Sequence, residues 1–317
     1  PARQTTPASA GIGEERAVLV DYGEVLAARL RWPGGLEPGM VDDARLIARR
    51  SGSKRGTARF ANGEEALVDA LPADASEGAL LRLKVLRAPI AEQGRFKRAQ
   101  ARPCGDAPCP ATALEGRVVA HFPAGLWEDA IADAFAGEID FAGGAMTITP
   151  TPAMTLIDID GDLPPAALAL AAVPALSGAI RRLDLAGSIG IDFPSLADKA
   201  DRRAVDTALG QALSGWPHER TAMNGFGFVQ LVARLERPSL LHRCQLDRAG
   251  AAARLLMRRA ELVAEPGAML LTAAPEVHAQ VPEAWSDELV RRTGRALRWQ
   301  IDPALALEAA FAQAITA

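Results

Sequence analysis

Residues 154–162 read MTLIDIDGD, and this stretch decides the fold of the segment around it. It begins as an apolar run and ends in aspartates spaced two apart. Side chains alternate along a β-strand, so Asp158 and Asp160 lie on one face while Ile157 and Ile159 lie on the other. The sequence therefore predicts a strand with one buried face and acidic side chains near its carboxyl end.

The residues that follow predict a crossover to a second, parallel strand. An Ala- and Leu-rich stretch over 164–182 is typical of a buried helix, and residues 188–193, SIGIDF, have the pattern of a strand that contains Asp192 near its end. A strand, a helix and a strand in that order place the two strands side by side and parallel. Their carboxyl ends then meet at one edge, which brings Asp158 close to Asp192.

Carboxylates gathered at such an edge predict a site for a hard metal ion. Ionised carboxylates repel one another unless a cation lies between them, and oxygen ligands favour Mg²⁺ or Mn²⁺ over zinc. A bound Mg²⁺ can polarise a phosphate and activate water, which is the chemistry of phosphodiester hydrolysis. The competing interpretation is structural, because Asp162, shortly before Pro164 and Pro165, is a good N-cap for the next helix.

Upstream of this segment, short apolar runs separated by Gly or Asp predict a small β-barrel. A hairpin pattern over 16–31 is followed by runs over 44–48, 57–60, 66–71 and 80–86, and a Pro-containing loop or linker over 101–112 ends the series. Short strands around tight turns suit a five-stranded barrel of the OB type, which commonly binds single-stranded nucleic acid.

The predicted barrel is a basic segment of an acidic protein. The chain has 35 Lys and Arg against 39 Asp and Glu, a net charge of −4, yet residues 45–102 hold thirteen basic and six acidic side chains. That segment carries +7 and the remainder −11. The barrel is therefore the part of the chain suited to a polyanion. A merely solvated Arg-rich surface is the alternative explanation.

Two phenylalanines in the basic segment are candidate platforms for stacking bases. Phe60 follows Arg59, and Phe96 lies between Arg95 and Lys97 in a Gly-Arg-Phe-Lys-Arg loop. OB barrels stack bases on exposed aromatic rings beside basic side chains. An isolated Phe in a barrel strand is more often part of the core, so that interpretation stays open for Phe60.

The order of these segments resembles the ribonuclease E/G family. In that family a strand ending in I-D-V-N or I-D-V-D is followed by a helix, a G-G-x-x-x-I-D-F strand and an R-R-x-V helix. The matching pieces are TLIDIDGD (155–162), LAGSIGIDF (185–193), DRRAVDTALGQAL (201–213), VLVDYGEVLAARLRWPG (18–34), EGALLRLKVLRAPIAEQG (77–94) and NGFGFVQL (224–231). The ordered series, which covers most of residues 16–240, carries the resemblance rather than any one motif.

The resemblance implies an α+β fold with four parts. They are an RNase H-like subdomain formed by residues 14–35 with 113–140, an OB-type RNA-binding barrel over 36–102 inserted in it, a deoxyribonuclease-like αβ catalytic domain over 141–240, and a small C-terminal αβ segment over 241–317.

The resemblance also implies an activity and its residues. Family members cleave single-stranded RNA by metal-activated water and leave 5′-phosphate ends. Asp158 and Asp192 would hold catalytic Mg²⁺, or Mn²⁺ in its place, and Asp160 takes the position that orients Asp158. In the barrel, Arg95 and Lys97 fall near the RNA-facing loop, and Phe60 falls at the stacking aromatic.

Two departures from the family pattern bear on activity and assembly. Almost no residues separate Ala120 from Trp127, where family members insert a 5′-monophosphate sensor. After Leu240 the family's C-P-x-C zinc pair is replaced by His242 and Cys244, so the sequence argues against zinc, and a zinc-sharing homodimer through these two residues is a minor alternative. Two further cysteines, Cys104 and Cys109, are a pair of ligands without partners.

Two other functions fit part of the pattern. One is a catalytically silent RNA-binding protein of the same fold, which the missing sensor favours and the retained aspartates oppose, because a carboxylate cluster without a metal is costly. The other is a haloacid-dehalogenase-type phosphatase, with Asp158 as nucleophile and Asp160 as acid. In that motif the position of Asp162 is normally Thr or Ser.

Composition predicts a cytoplasmic protein that does not enter the membrane. Three cysteines are too few for a disulfide framework, which favours a reducing compartment. The longest apolar stretch, residues 163–180, is interrupted by three prolines and is shorter than the roughly 20 apolar residues of a bilayer span.

Overall fold

The structure is a computed structural model that describes residues 5–92, 94–105, 116–119, 122–123 and 125–316. Cys109 lies outside the described residues. The chain forms two compact units, each built from separated stretches. Unit 1 comprises Pro1–Pro33, Leu114–Ala136 and Arg243–Ala317, and unit 2 comprises Gly34–Ala113 and Gly137–His242.

In the described residues, strands β1 to β11 come first, and strands and helices are mixed from α1 onward. The strands are β1 Pro7–Gly11, β2 Glu14–Asp21, β3 Glu24–Arg31, β4 Val41–Arg49, β5 Gly56–Phe60, β6 Glu65–Val68, β7 Leu80–Arg87, β8 Ile90–Glu92, β9 Arg95–Lys97, β10 Ala99–Pro103, β11 Arg117–Val118, β12 Glu138–Phe141, β13 Gly144–Pro150, β14 Thr155–Gly161, β15 Gly187–Asp192, β16 Glu219–Arg220, β17 Phe228–Ala233, β18 Ala268–Ala273, β19 Leu297–Ile301 and β20 Phe311–Ile315. The helices are α1 Glu128–Ala136, α2 Pro165–Arg182, α3 Lys199–Ala212, α4 Leu240–Leu246, α5 Arg248–Glu261, α6 Pro275–His278 and α7 Glu283–Thr293.

Unit 2 contains a closed five-stranded barrel. Its strands neighbour one another in the order β10-β6-β5-β4-β7. The β6–β10 pair is parallel and the other pairs are antiparallel. Along β7 the side chains alternate, so Leu83 and Val85 fill the interior while Arg82 and Lys84 lie on the other face. The closed barrel predicted from the sequence is confirmed, and its topology is consistent with the OB type.

The barrel extends further along the chain than its apolar runs suggested. Residues 101–103, which the sequence analysis assigned to a loop, are the end of β10. Ala101 faces the fully buried interior and pairs with Val85 of β7. Small side chains on β10 gave no apolar signal, although the barrel closes through that strand. Residues 106–112 of the predicted loop lie outside the described residues.

The second part of unit 2 is a six-stranded mixed sheet in the order β12-β13-β14-β15-β17-β16. Only the central β14–β15 pair is parallel, and α2 is the crossover between them. α2 packs on β12, β13 and β14, and Ile148, Ile157 and Ile191 are fully buried in the sheet. The predicted strand, crossover helix and parallel strand are confirmed.

The start of α2 corrects the structural alternative for Asp162. The N-cap of α2 is Pro164, with Pro165 as first helical residue, and no side chain caps the helix through a hydrogen bond. Asp162 is exposed and does not act as the predicted N-cap. In contrast, α3 has a side-chain cap, since Asp198 accepts from the backbone N of Ala200 at 2.9 Å.

Unit 1 joins the amino-terminal strands to the carboxyl-terminal helices. Strands β11, β1, β2 and β3 form one sheet, and β19, β18 and β20 form another. The predicted hairpin over 16–31 is β2 with β3. Helix α5 is tied to the loop after β1, where the Arg254 Nε donates to the Gly13 carbonyl at 2.9 Å. The four-part division of the chain stays a prediction.

Among the described residues, no helix has both the length and the apolar character that crossing a bilayer requires.

Candidate metal centre and nucleic-acid interface

Asp158 and Asp192 are direct neighbours across the parallel strand pair. In the register of β14 and β15, Asp158 is the Cα partner of Asp192. Ile157 and Ile191, one position earlier, are partners as well and are fully buried. The alternation of the two strands therefore turns both carboxylates to the same, opposite face, where they are exposed. The adjacency predicted from the sequence is confirmed.

Asp160 lies two residues further along β14, on the same face as Asp158. Burial raises the pKa of Asp158, and the negative charges of Asp160 and Asp192 raise it further. A backbone hydrogen bond from Ile159 opposes this shift. The three aspartates are therefore close enough to repel one another, and a cation bound between them would relieve this repulsion.

The described residues place no ion-pair partner on this cluster. Within the described part of the chain, none of the three aspartates forms an ion pair with Lys, Arg or His. Some other carboxylates of unit 2 are paired: Asp206 pairs with Arg220 at 2.5 Å, and Asp184 pairs with Arg237 at 2.8 Å.

The donor set fits a hard cation that keeps most of its water. Within the described ranges, no three His, Cys, Asp or Glu side chains are grouped in a way that could enclose a metal ion. Mg²⁺ does not need such a cage, because it is usually bound through one or two carboxylates, retained waters and phosphate oxygens of the substrate. Asp158 and Asp192 supply two carboxylates of this kind, and oxygen donors favour Mg²⁺ or Mn²⁺ over zinc.

The β8–β9 hairpin carries three of the four residues predicted to meet RNA, Arg95, Phe96 and Lys97. It connects β7 to β10, which are the fourth and fifth barrel strands, and this loop is one of the two that OB barrels use for oligonucleotides. The Phe96 ring is 64% exposed. The Arg95 guanidinium donates to the Pro152 carbonyl at 2.7 Å, which ties the hairpin to the turn between β13 and β14.

The positive charges of that hairpin are already paired. Glu92 forms ion pairs with both Arg95 and Lys97. Burial would raise the pKa of Glu92, but hydrogen bonds and charges from Lys97 and Arg95 outweigh it and the net pKa is lowered. A phosphate would therefore compete with Glu92 for these two cations, which lessens what each adds to RNA affinity.

Phe60 lies in the barrel core, so the stacking role predicted for it is wrong. Its side chain is only 3% exposed and belongs to the barrel core together with Leu46 and Leu83. A buried ring has no free face for a base, so the core interpretation replaces the stacking one. Arg59, the preceding residue, is exposed because strand side chains alternate, and it pairs with Glu65 at 2.8 Å.

A second basic loop of the barrel, not predicted from the sequence, lies between β4 and β5. Residues 50–55 connect β4 to β5, the first two barrel strands, and this is the other loop that OB barrels use for oligonucleotides. Arg50 and Lys54 form no ion pair with any described carboxylate, whereas Arg55 pairs with Asp69 at 2.9 Å. Assigning the barrel strands in order would have pointed to this loop.

The residues considered for zinc have other environments. Cys244 is fully buried, and burial raises the pKa of its thiol. The His242 Nδ1 lies 2.7 Å from the Ser239 hydroxyl, which also accepts from the backbone N of His242 at 3.0 Å. The direction of the first of these two hydrogen bonds follows the tautomer of the imidazole ring. Cys104 is a half-buried free thiol.

No protein-family model matches this chain, and neither does any curated protein. The likeness to the ribonuclease E/G family therefore depends on the ordered motifs of the sequence alone.

Proposed function

We propose that this protein is a Mg²⁺-dependent endoribonuclease that cleaves single-stranded RNA. The observation that carries the proposal is the pairing of Asp158 with Asp192 across two parallel strands, where neither forms an ion pair with a described Lys, Arg or His. A closed barrel with basic loops in the same unit supports RNA as the substrate.

The chain's own residues have separate parts in this reaction. Asp158 and Asp192 would hold the metal through one carboxylate each, and Asp160 would orient Asp158. Mg²⁺ bound there supplies a Lewis acid for the phosphate and an activated water. Phe96, with Arg95 and Lys97, would hold single-stranded RNA on the barrel, by stacking and by phosphate contacts respectively.

We also propose a specific fold for each domain. The mixed sheet with its α2 crossover supports a deoxyribonuclease-like catalytic domain, and the sheet of β11, β1, β2 and β3 with α1 supports an RNase H-like subdomain. The barrel lies in sequence between the two stretches of that subdomain, residues 14–35 and 113–140, which fits an OB-type insertion and the family order. A cytoplasmic location is a further expectation, based on the cysteine content, and a homodimer is one based on the resemblance.

The decisive experiment incubates the purified protein with end-labelled single-stranded RNA, with Mg²⁺ or with a chelator. The parent should cut only with Mg²⁺ and should leave 5′-phosphate ends. Asp158→Asn and Asp192→Asn should not cut but should still fold and bind RNA. Asp287→Asn, at an exposed position on α7, is the matched control and should cut at the parental rate.

Three outcomes would contradict the proposal. Cleavage at the parental rate by Asp192→Asn would place the active site elsewhere. RNA binding without cleavage in Mg²⁺ or Mn²⁺ would favour the catalytically silent RNA-binding protein. Hydrolysis of a small phosphomonoester in place of RNA, lost in Asp158→Asn, would favour the haloacid-dehalogenase-type phosphatase.

A further inference from the structure

Phe226 is the most exposed large apolar side chain of unit 2 among the described residues, at 82%. It lies in the turn before β17, and Asn224 shapes that turn. The Asn224 Oδ1 accepts from the backbone N of Phe226 at 2.8 Å and from that of Phe228 at 3.1 Å. Gly227 has φ +89°, a conformation that L side chains rarely adopt. The exposed ring thus projects from a well-defined turn.

This turn is fastened to the chain that leaves the aspartate cluster. Phe228 is the register partner of Asp192 in the antiparallel β15–β17 pair. One residue after Asp192, the Phe193 backbone N donates to the Gly227 carbonyl at 3.3 Å. A Cβ at Gly227 would lie 2.4 Å from the Phe193 carbonyl oxygen, so the two segments are in close contact. The Phe226 turn therefore lies at the same sheet edge as Asp192.

The turn does not need an aromatic residue at position 226. Asn224 and Gly227 define its conformation through backbone contacts, which any side chain at 226 would leave intact. Phe228 is different, because it is half-buried and packs against Gly190, where an added Cβ would meet its ring at 2.6 Å. Phe228 belongs to the sheet, whereas the Phe226 ring is available to a ligand.

We propose that Phe226 is a stacking platform for an unpaired base next to the phosphate that is cleaved at Asp158 and Asp192. This inference rests on the proposed function. Hydrolysis at the aspartates requires the phosphate to be held in place, and a base stacked on a ring fixed to the same sheet edge would hold it. In unit 2, within the described ranges, Phe96 and Phe226 are the exposed aromatic residues, one on the barrel and one at the sheet edge.

The test measures RNA binding in a chelator, so that cleavage plays no part. Single-stranded oligonucleotides carry the fluorescent base 2-aminopurine at successive positions, because stacking on a ring quenches it. Phe226→Ala should weaken binding about 5- to 150-fold and relieve quenching at one position, with an unchanged salt dependence. Phe226→Tyr keeps the ring and should match the parent, and Phe226→Leu should fall between them.

The control is Tyr22→Ala, which removes an 85% exposed ring from the β2–β3 turn of unit 1 and should leave binding and quenching unchanged. In Mg²⁺, Phe226→Ala should shift the positions of cleavage.

If Phe226→Ala binds with parental affinity and quenching while Asp192→Asn is inactive, the stacking platform is wrong and the proposed nuclease activity stands. If the parent does not cleave RNA but quenching still depends on Phe226, the nuclease is wrong and the base site stands. Failure of the parent to bind RNA overturns both.

Discussion

Lys84 lies directly opposite Arg102 on the neighbouring barrel strands β7 and β10. Neither forms an ion pair with a described carboxylate, although like charges facing each other across a strand pair are destabilising. Arg82, two positions before Lys84, is paired with Asp43 at 3.5 Å. Both this strand pair and the 50–55 loop therefore carry positive charge without an ion pair to a described carboxylate, and their contributions to RNA binding can be compared.

The first prediction is that the 50–55 loop contacts RNA phosphates and the β7–β10 strand pair does not. Each phosphate contact on a single strand contributes about 0.7 to the slope of log affinity against log salt. Arg50→Ala with Lys54→Ala should therefore lower that slope by about 1.4, and Lys84→Ala with Arg102→Ala should leave it unchanged. Equal loss in both double variants, measured by fluorescence titration over a range of salt, would mean that the barrel attracts RNA with its whole surface.

A second prediction separates the two barrel phenylalanines. Phe60→Ala should lower the free energy of unfolding by about 3 to 5 kcal/mol, because it leaves a cavity in the barrel core. Phe96→Ala should change stability by less than about 0.5 kcal/mol but weaken RNA binding by about 1 to 3 kcal/mol. Urea unfolding and RNA titration of both variants check this. A stable Phe60→Ala protein with weakened RNA binding would restore the stacking role of Phe60.

Strand alternation and segment order made much of unit 2 predictable. The MTLIDIDGD strand, the crossover and the SIGIDF strand were located to within a few residues, because apolar side chains alternate there with polar ones. Strand β1 and the short β8–β9 hairpin were not predicted. β1 is composed mainly of small residues, Pro7–Gly11 reading PASAG, and β8 and β9 have three residues each. Neither provides the periodicity on which strand prediction depends.

The candidate site was predictable where it depends on backbone register and not where it depends on side-chain partners. Parallel pairing alone places Asp158 beside Asp192. The pairing of Arg95 and Lys97 with Glu92, by contrast, follows from a hairpin that no pattern indicated. The burial of Phe60 follows from which face of β5 closes over the core. Phe226 was overlooked because an exposed ring in a turn has no sequence signature.

The third prediction concerns the repulsion among the aspartates without metal. The pKa of Asp158 is raised in the folded state, so ionising this carboxyl lowers the stability of the fold. The stability that the protonated carboxyl contributes is lost as the pH rises through that pKa. At neutral pH in a chelator, Asp158→Asn should therefore be more stable than the parent, by up to about 0.5 kcal/mol. Mg²⁺ should raise the melting temperature of the parent and not of the variant. Thermal melts with Asp287→Asn as control check this, and a variant less stable than the parent in chelator would contradict it.

A fourth prediction follows from His242. Burial lowers the pKa of His242 from 6.5 to about 4. The negative charge of Glu92 opposes this shift, and the positive charge of Lys97 adds to it. The unfolded chain thus takes up a proton near pH 6.5 that the folded protein takes up only near pH 4. The neutral imidazole contributes its full stability above pH 6.5, and this contribution is lost as the pH falls toward 4. The free energy of unfolding then changes by at most about 1.4 kcal/mol per pH unit. His242→Gln should flatten this part of a stability–pH curve. Equal curves for the parent and His242→Gln would contradict the prediction.

The fifth prediction depends on the family resemblance. Because residues 120–127 leave no room for the inserted 5′-monophosphate sensor, cleavage should not depend on the group at the 5′ end of the RNA. Rates on otherwise identical RNAs with a 5′-monophosphate, triphosphate or hydroxyl should agree. A preference of about tenfold for the monophosphate, or about 1.4 kcal/mol, would show that a sensor exists elsewhere in the chain.

The hydrogen bond between Arg254 and the Gly13 carbonyl spans 241 positions of sequence. A ribosome adds about 5 to 20 residues per second, so Gly13 is synthesised roughly 10 to 50 seconds before Arg254. Every residue of unit 2 is synthesised during that interval, and its barrel and mixed sheet can fold while the amino-terminal strands still lack α5. A nascent chain that stalls before Arg248 would carry a folded unit 2 beside an incomplete unit 1, the kind of exposed intermediate that chaperones bind.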